Sequence, residues 1–152
     1  MRSLIPLAVP ALLIALALPA RAAGLDDKPF DQLSIDALQL RASQAQPREQ
    51  CFLYAELVHE MTEFSLRQYA MGNFDKANEL LRQVQQLSRK IHLSLADDNK
   101  RLKNAEILLR HTAFRLNEML HSSSSEDRPL VAETLAQVNQ VQNQAMLEVF
   151  RK

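Results

Sequence analysis

Residues 74–119, FDKANELLRQVQQLSRKIHLSLADDNKRLKNAEILLRHTAFRLNEM, decide the fold. Alternating steps of three and four pick out Phe74, Ala77, Leu81, Val84, Ser88, Ile91, Leu95, Asp98, Leu102, Ala105, Leu109, Thr112, Leu116 and Met119. Eleven of these fourteen are apolar, and no Gly or Pro interrupts them. That is helix packed against helix at coiled-coil spacing. A single rod of this length would extend roughly 70 Å at 1.5 Å per residue, too long for a compact chain. Asp98 sits in the apolar row, where a buried carboxylate is costly, and Asp is a favoured helix cap. The reading is therefore two helices with a reversal at 96–99, the second ending near His121.

Upstream, Gly72-Asn73 is a strong helix stop, because Gly takes the left-handed conformation that closes a helix. A helix over about 48–71 precedes it, with Tyr54, Leu57, Val58, Met61 and Phe64 on one stripe. Two residues of connection force this helix and the next to fold back on each other. A short helix over 34–45 ends where Pro47 pushes Gln46 out of the helical region. Downstream, Ser122 to Pro129 (SSSSEDRP) is a connection rich in turn and cap residues. The last helix follows, about 129–150, with Val131, Leu135, Val138, Ala145 and Val149 on one face and a run of amides elsewhere.

The 152 residues include two Gly, no Trp and two Tyr, poor material for a sheet. The fold class is all-α: an antiparallel helical bundle of about four main helices plus a short N-terminal one. Its expected core includes Tyr54, Leu57, Met61, Phe64, Phe74, Leu81, Val84, Ile91, Leu102, Leu109, Leu116, Leu135 and Val138.

The first 22 residues read as a signal peptide. A basic start at Arg2 leads into the apolar run Leu4–Leu18, then Pro19 and the small-x-small site Ala20-Arg21-Ala22. The run falls short of the ~20 residues of a spanning helix, so no stable membrane span is expected after cleavage behind Ala22. The chain divides into a signal peptide at 1–22, a flexible segment at 23–33 and a bundle at 34–152. Export to the bacterial periplasm is the expected destination. Losing Arg2 and Arg21 leaves 16 basic against 18 acidic residues, a balance that gives nucleic acid no general attraction. Cys51, the one cysteine, can form no internal disulfide and is expected as a small buried hydrophobe; pairing between chains is the alternative.

Two Glu-x-x-His pairs, Glu56/His59 and Glu118/His121, carry the spacing that di-iron carboxylate bundles use. At 100° per residue, all four lie roughly 140–160° from the centre of their helix's apolar stripe. They are therefore expected in solvent, as weak metal candidates rejected on helical phase. His111 falls on a polar face and His92 beside the apolar row. No catalytic, cofactor-binding or metal-binding residue is assigned, and no cofactor is expected. Arg89, Lys90, Lys100, Arg101 and Lys103 form the most basic region, read as a solvated helix surface.

The turn Gly72-Asn73-Phe74-Asp75-Lys76-Ala77, with small Ser65 seven residues before Gly72, resembles the inter-helix turn of a tetratricopeptide repeat. The resemblance covers about a dozen residues and implies helical hairpins that stack and bind peptides. The chain departs from the pattern in a second helix longer than usual, no closing Pro, and no second copy of the motif.

The functional expectation is a non-catalytic exported protein acting through helix–helix contacts in the envelope, with a protein partner or with itself. Alternatives are a small-ligand or metal-binding bundle and a tetratricopeptide-like peptide-binding module.

Overall fold

The computed structural model describes residues 31–94 and 101–151, without the side chains of 92–94. The leader 1–22, the cap at Asp98, the reversal at 96–99 and the His92 side chain lie outside the described residues. Within them the protein is wholly helical: α1 (Gln32–Gln44), α2 (Pro47–Ala70), α3 (Phe74–Ser94), α4 (Leu102–Ser122) and α5 (Arg128–Arg151). The 74–119 stretch is thus two helices.

Local chemistry sets each end. α1 begins two residues earlier than expected because Asp31 caps it, accepting from the Ser34 backbone N–H at 2.9 Å. α2 starts with Pro47 in its first turn, where the missing N–H costs nothing. It ends in a Schellman closure: Asn73 N–H bonds Gln68 O at 2.9 Å and Gly72 N–H bonds Tyr69 O at 3.0 Å, with Gly72 at φ +82°. α4 opens differently, with Arg101 in the left-handed region (φ 57°) and its guanidinium stacked 3.5 Å above the Phe52 ring. Before α5, Ser124 and Asp127 cap reciprocally, Asp127 N–H bonding Ser124 Oγ and Ser124 Oγ bonding Asp127 Oδ2.

The helices form two layers. α2 and α3 pair as a hairpin, as do α4 and α5, and the hairpins stack so that α2 touches α4 and α3 touches α5. Across those contacts the register ascends together: His59 meets Thr112, Glu63 meets Arg115, Tyr69 meets Ser124, Asn78 meets Asp127 and Gln85 meets Thr134. Helices of neighbouring hairpins therefore run parallel. Among the described helices α1 packs on α2 alone. Gln50, which reaches the Ala42 carbonyl of α1, and His59, which bonds α4, lie nine residues apart, about 180° around α2. One layer is α1·α2·α4 and the other α3·α5.

The core between them holds Leu57, Met61, Leu81, Val84, Ile91, Leu109, Leu116 and Val138, all fully buried. Cys51 is buried among them. Three expected core positions differ. Phe64 and Leu135 are half-buried at the margin, and Phe74 is 48% exposed, its ring edge-on to Tyr69 with centroids 4.9 Å apart. Phe74 is the first residue after the turn, too early in α3 to reach the interior. Ser65 is fully buried and donates to the Ala77 carbonyl at 2.9 Å, pinning α2 to α3 one turn from their junction.

Two substitutions test this account. Ser65→Ala leaves a buried carbonyl without its second donor and should cost about 1 kcal/mol. Gly72→Ala meets no atom within 4 Å, yet should cost about 1–2 kcal/mol from backbone strain alone. Urea unfolding followed by circular dichroism measures both; an unchanged Gly72→Ala midpoint would contradict the left-handed closure.

Candidate functional site

The polar groups worth following are those of α2 and of the α4 face beside it. α2 is packed by α1, α3 and α4 at once, and from Glu49 to Tyr69 none of its residues is fully exposed. Ser65 marks the α3 side, Gln50 the α1 side and His59 the α4 side. Glu56 and Glu60 fall on the fourth side, about 120° and 80° round the helix from Gln50. Both are half-buried there.

His59 lies in the α2–α4 contact rather than in solvent. The apolar stripe alone does not define the buried arc of α2, because α4 covers a second side of the helix. His59 Nδ1 is 3.1 Å from Thr112 Oγ1, and Thr112 Oγ1 donates to the Leu108 carbonyl at 2.8 Å. The single hydroxyl hydrogen is thereby used, so the imidazole nitrogen is the donor and His59 is the neutral Nδ1–H tautomer. Burial lowers its pKa from the ordinary 6.5, and His111 and Arg115 act in the same direction against Glu63.

One turn on, Arg115 forks onto Glu63, Nε to Oε1 at 2.7 Å and Nη2 to Oε2 at 3.2 Å, and also bonds Glu118. The Glu63 bond is the main reason its guanidinium is held still more firmly charged. Glu118 and His121 are solvent-facing, and His121 Nδ1 is 2.7 Å from the Asn117 carbonyl of its own helix. His121 stands nine residues beyond Thr112, roughly 13 Å along α4, so the two Glu-x-x-His pairs do not converge. Among the described residues no three His, Cys, Asp or Glu side chains are grouped closely enough to hold a metal ion.

Three clefts follow the α1·α2·α4 layer. One of about 500 Å³ lies between α1 and the starts of α2 and α4, walled by Leu40, Arg41, Phe52, Leu53 and Arg101. A second, about 630 Å³, is lined by His59, Glu63, Arg110, His111, Phe114 and Arg115. The third, about 840 Å³, continues past Arg115 to Arg67, Tyr69 and Phe74. Between the clefts, burial and then the charges of Glu56 and Glu63 raise the Glu60 carboxyl above its usual range, with Arg67 opposing. Glu56 Oε2 is closed off from solvent and has no hydrogen-bond partner among the described residues.

Sequence periodicity placed Glu56 on the outside and passed over Glu60. The signal that marks this face was present: Cys51 to Ala55, Leu57, Val58 and Met61 give α2 an apolar arc too wide for a single neighbour.

No protein family, curated protein sequence or solved structure matches this chain.

His59 makes a pH prediction. Its folded pKa is depressed, so below 6.5 the unfolded chain binds more protons and stability falls as pH drops. The unfolding free energy at pH 5.0 should be lower than at pH 7.5, and His59→Gln, which keeps a donor for Thr112, should flatten that difference. Urea titrations of both proteins at the two pH values provide the comparison; identical pH slopes would place His59 outside the balance.

Proposed function

We propose that this chain is a non-catalytic interaction module of the bacterial envelope, and that it meets its partner through the α1·α2·α4 layer. The observation that carries the reading is the polar face of α2, half-buried between two flanking helices, in a layer that three clefts follow. A face that served only solubility would stand proud of its neighbours, with its carboxylates in water. The titratable groups beside it are engaged in joining the hairpins: His59 through Thr112 to Leu108, and Arg115 between Glu63 and Glu118. They hold a surface in shape. The apolar leader and its small-x-small end support an exported location.

A peptide-holding helical-repeat module is a closely related reading. The hairpins' parallel stacking and the Ser65–Ala77 bond at the turn favour it. Stacked hairpins align equivalent helices into one layer, and such layers serve as extended binding surfaces.

Site-specific photo-cross-linking in the periplasm tests the proposal. A photoreactive residue at Leu40 or His111, each lining one of these clefts, should give discrete adducts, whereas one at Gln140 on the exposed side of α5 should not. Equal adduct yields at all three positions, or none at any, would sink the assignment of this layer.

A further inference from the structure

The cleft between α1 and the starts of α2 and α4 has the make-up of a small-molecule site. It holds about 500 Å³, its apolar walls include Leu40, Phe52 and Leu53, and its charged side chains are Arg41, Arg101 and Glu49. A concave, mainly apolar space of this size with a few charged groups is what small ligands occupy. The two cations set it apart from the clefts further along α2 and α4, where Arg110 and Arg115 already hold Glu106 and Glu63. Among the described residues no side-chain acceptor meets Arg41 or Arg101. Arg101 lies 3.5 Å above the Phe52 ring, a stack that uses the flat face of the guanidinium and leaves its in-plane N–H groups to meet an acceptor. Its backbone is left-handed at φ 57°, a conformation that residues other than glycine adopt at a cost.

We propose that this cleft binds a small amphiphilic monocarboxylate, its carboxylate held by Arg41 and Arg101 and its aliphatic chain laid along α1 against Leu40, Phe52 and Leu53. Charge selects both sign and valence. Two guanidiniums facing the one carboxylate of Glu49 leave a single positive charge, which a monoanion balances and a dianionic phosphate would exceed. The guanidinium edge also matches the two oxygens of a carboxylate. The walls select the chain: α1 lines the cleft from Ala37 to Ala45, roughly 12 Å along its axis, the scale of a medium-length acyl chain. The inference goes beyond the interaction-module reading and does not depend on it. Ligand binding reports on this cleft alone, whereas protein adducts from His111 report on the layer.

The test uses the full mature chain and three probes: decanoate; decylammonium, which reverses the charge; and propionate, which lacks the chain. Isothermal titration below the micellar range should give saturable one-to-one binding of decanoate and none of the other two. Arg41→Gln/Arg101→Gln should weaken decanoate about tenfold, the loss expected when charge-assisted hydrogen bonds are removed. Arg82→Gln, on the exposed side of α3, should leave it unchanged. A reading on the unaltered protein does not depend on the double variant folding. Decanoate carrying a diazirine near its chain end, photolysed in the complex, should attach at Leu40, Phe52 or Leu53, and excess decanoate should suppress the adduct. Attachment confined to residues outside the cleft overturns the proposal. So does a lack of decanoate binding, undiminished binding to the double variant, or binding of decylammonium or propionate as tight as that of decanoate.

Discussion

Helix α2 must satisfy three neighbours at once, and much of the molecule follows from that demand. α1, α3 and α4 approach from different sides, so α2 needs apolar side chains over most of its circumference, and Cys51 to Ala55, Leu57, Val58 and Met61 supply them. Each fully buried aliphatic side chain contributes about 1.5–3 kcal/mol over its exposed state, so this helix carries a large share of the core's hydrophobic stabilisation. The polar residues that remain are confined to one narrow face. Because α1 and α4 flank that face, Glu56 and Glu60 are drawn partway out of water, and their mutual repulsion is the electrostatic cost of the arrangement.

The hairpin stack is aligned by polar contacts at the margins of an apolar interface. Hydrophobic burial favours contact between the hairpins but is indifferent to a shift along the helix axes. Directional bonds supply the register. His59 with Thr112 and Glu63 with Arg115 fix α2 against α4; Asn78 with Asp127 and Gln85 with Thr134 fix α3 against α5; Gln142 with Glu106 fixes α5 against α4. The Asn78 amide is also the leading cause of the lowered Asp127 carboxyl pKa, with Ser124 and Tyr69 adding to it. One carboxylate thus joins the start of α5 to both helices of the first hairpin. The bonds succeed one another along the stack at a nearly constant offset of 49 to 55 residues. The second hairpin therefore repeats the placement of the first although its sequence does not.

What could be read in advance was whatever depends on neighbours close in the chain. Helix content follows from composition, and the division of 74–119 into two helices from Asp98 and the length of the rod. The turn at Gly72 follows from glycine's access to positive φ, and the connection at 122–128 from its serines and acids. Ser65 stood out as a small residue, and its bond to Ala77 shows why: a larger side chain would separate α2 from α3. The polar face of α2 was misjudged because helical phase was taken relative to a single apolar stripe, which suits a helix with one partner.

The sequence by itself thus determined five helical segments and the turns at Gly72 and at 122–128. These are set by backbone hydrogen bonds, propensities and turn chemistry acting within a few residues. Only the tertiary structure decided how the two hairpins sit against each other, and with it the half-burial of the polar face of α2. Parallel stacking brings together residues about fifty positions apart, and no local pattern encodes which of the amphipathic faces will meet. His59 became an interfacial donor, and Glu56 and Glu60 became half-buried, because α1 and α4 came to rest on either side of α2.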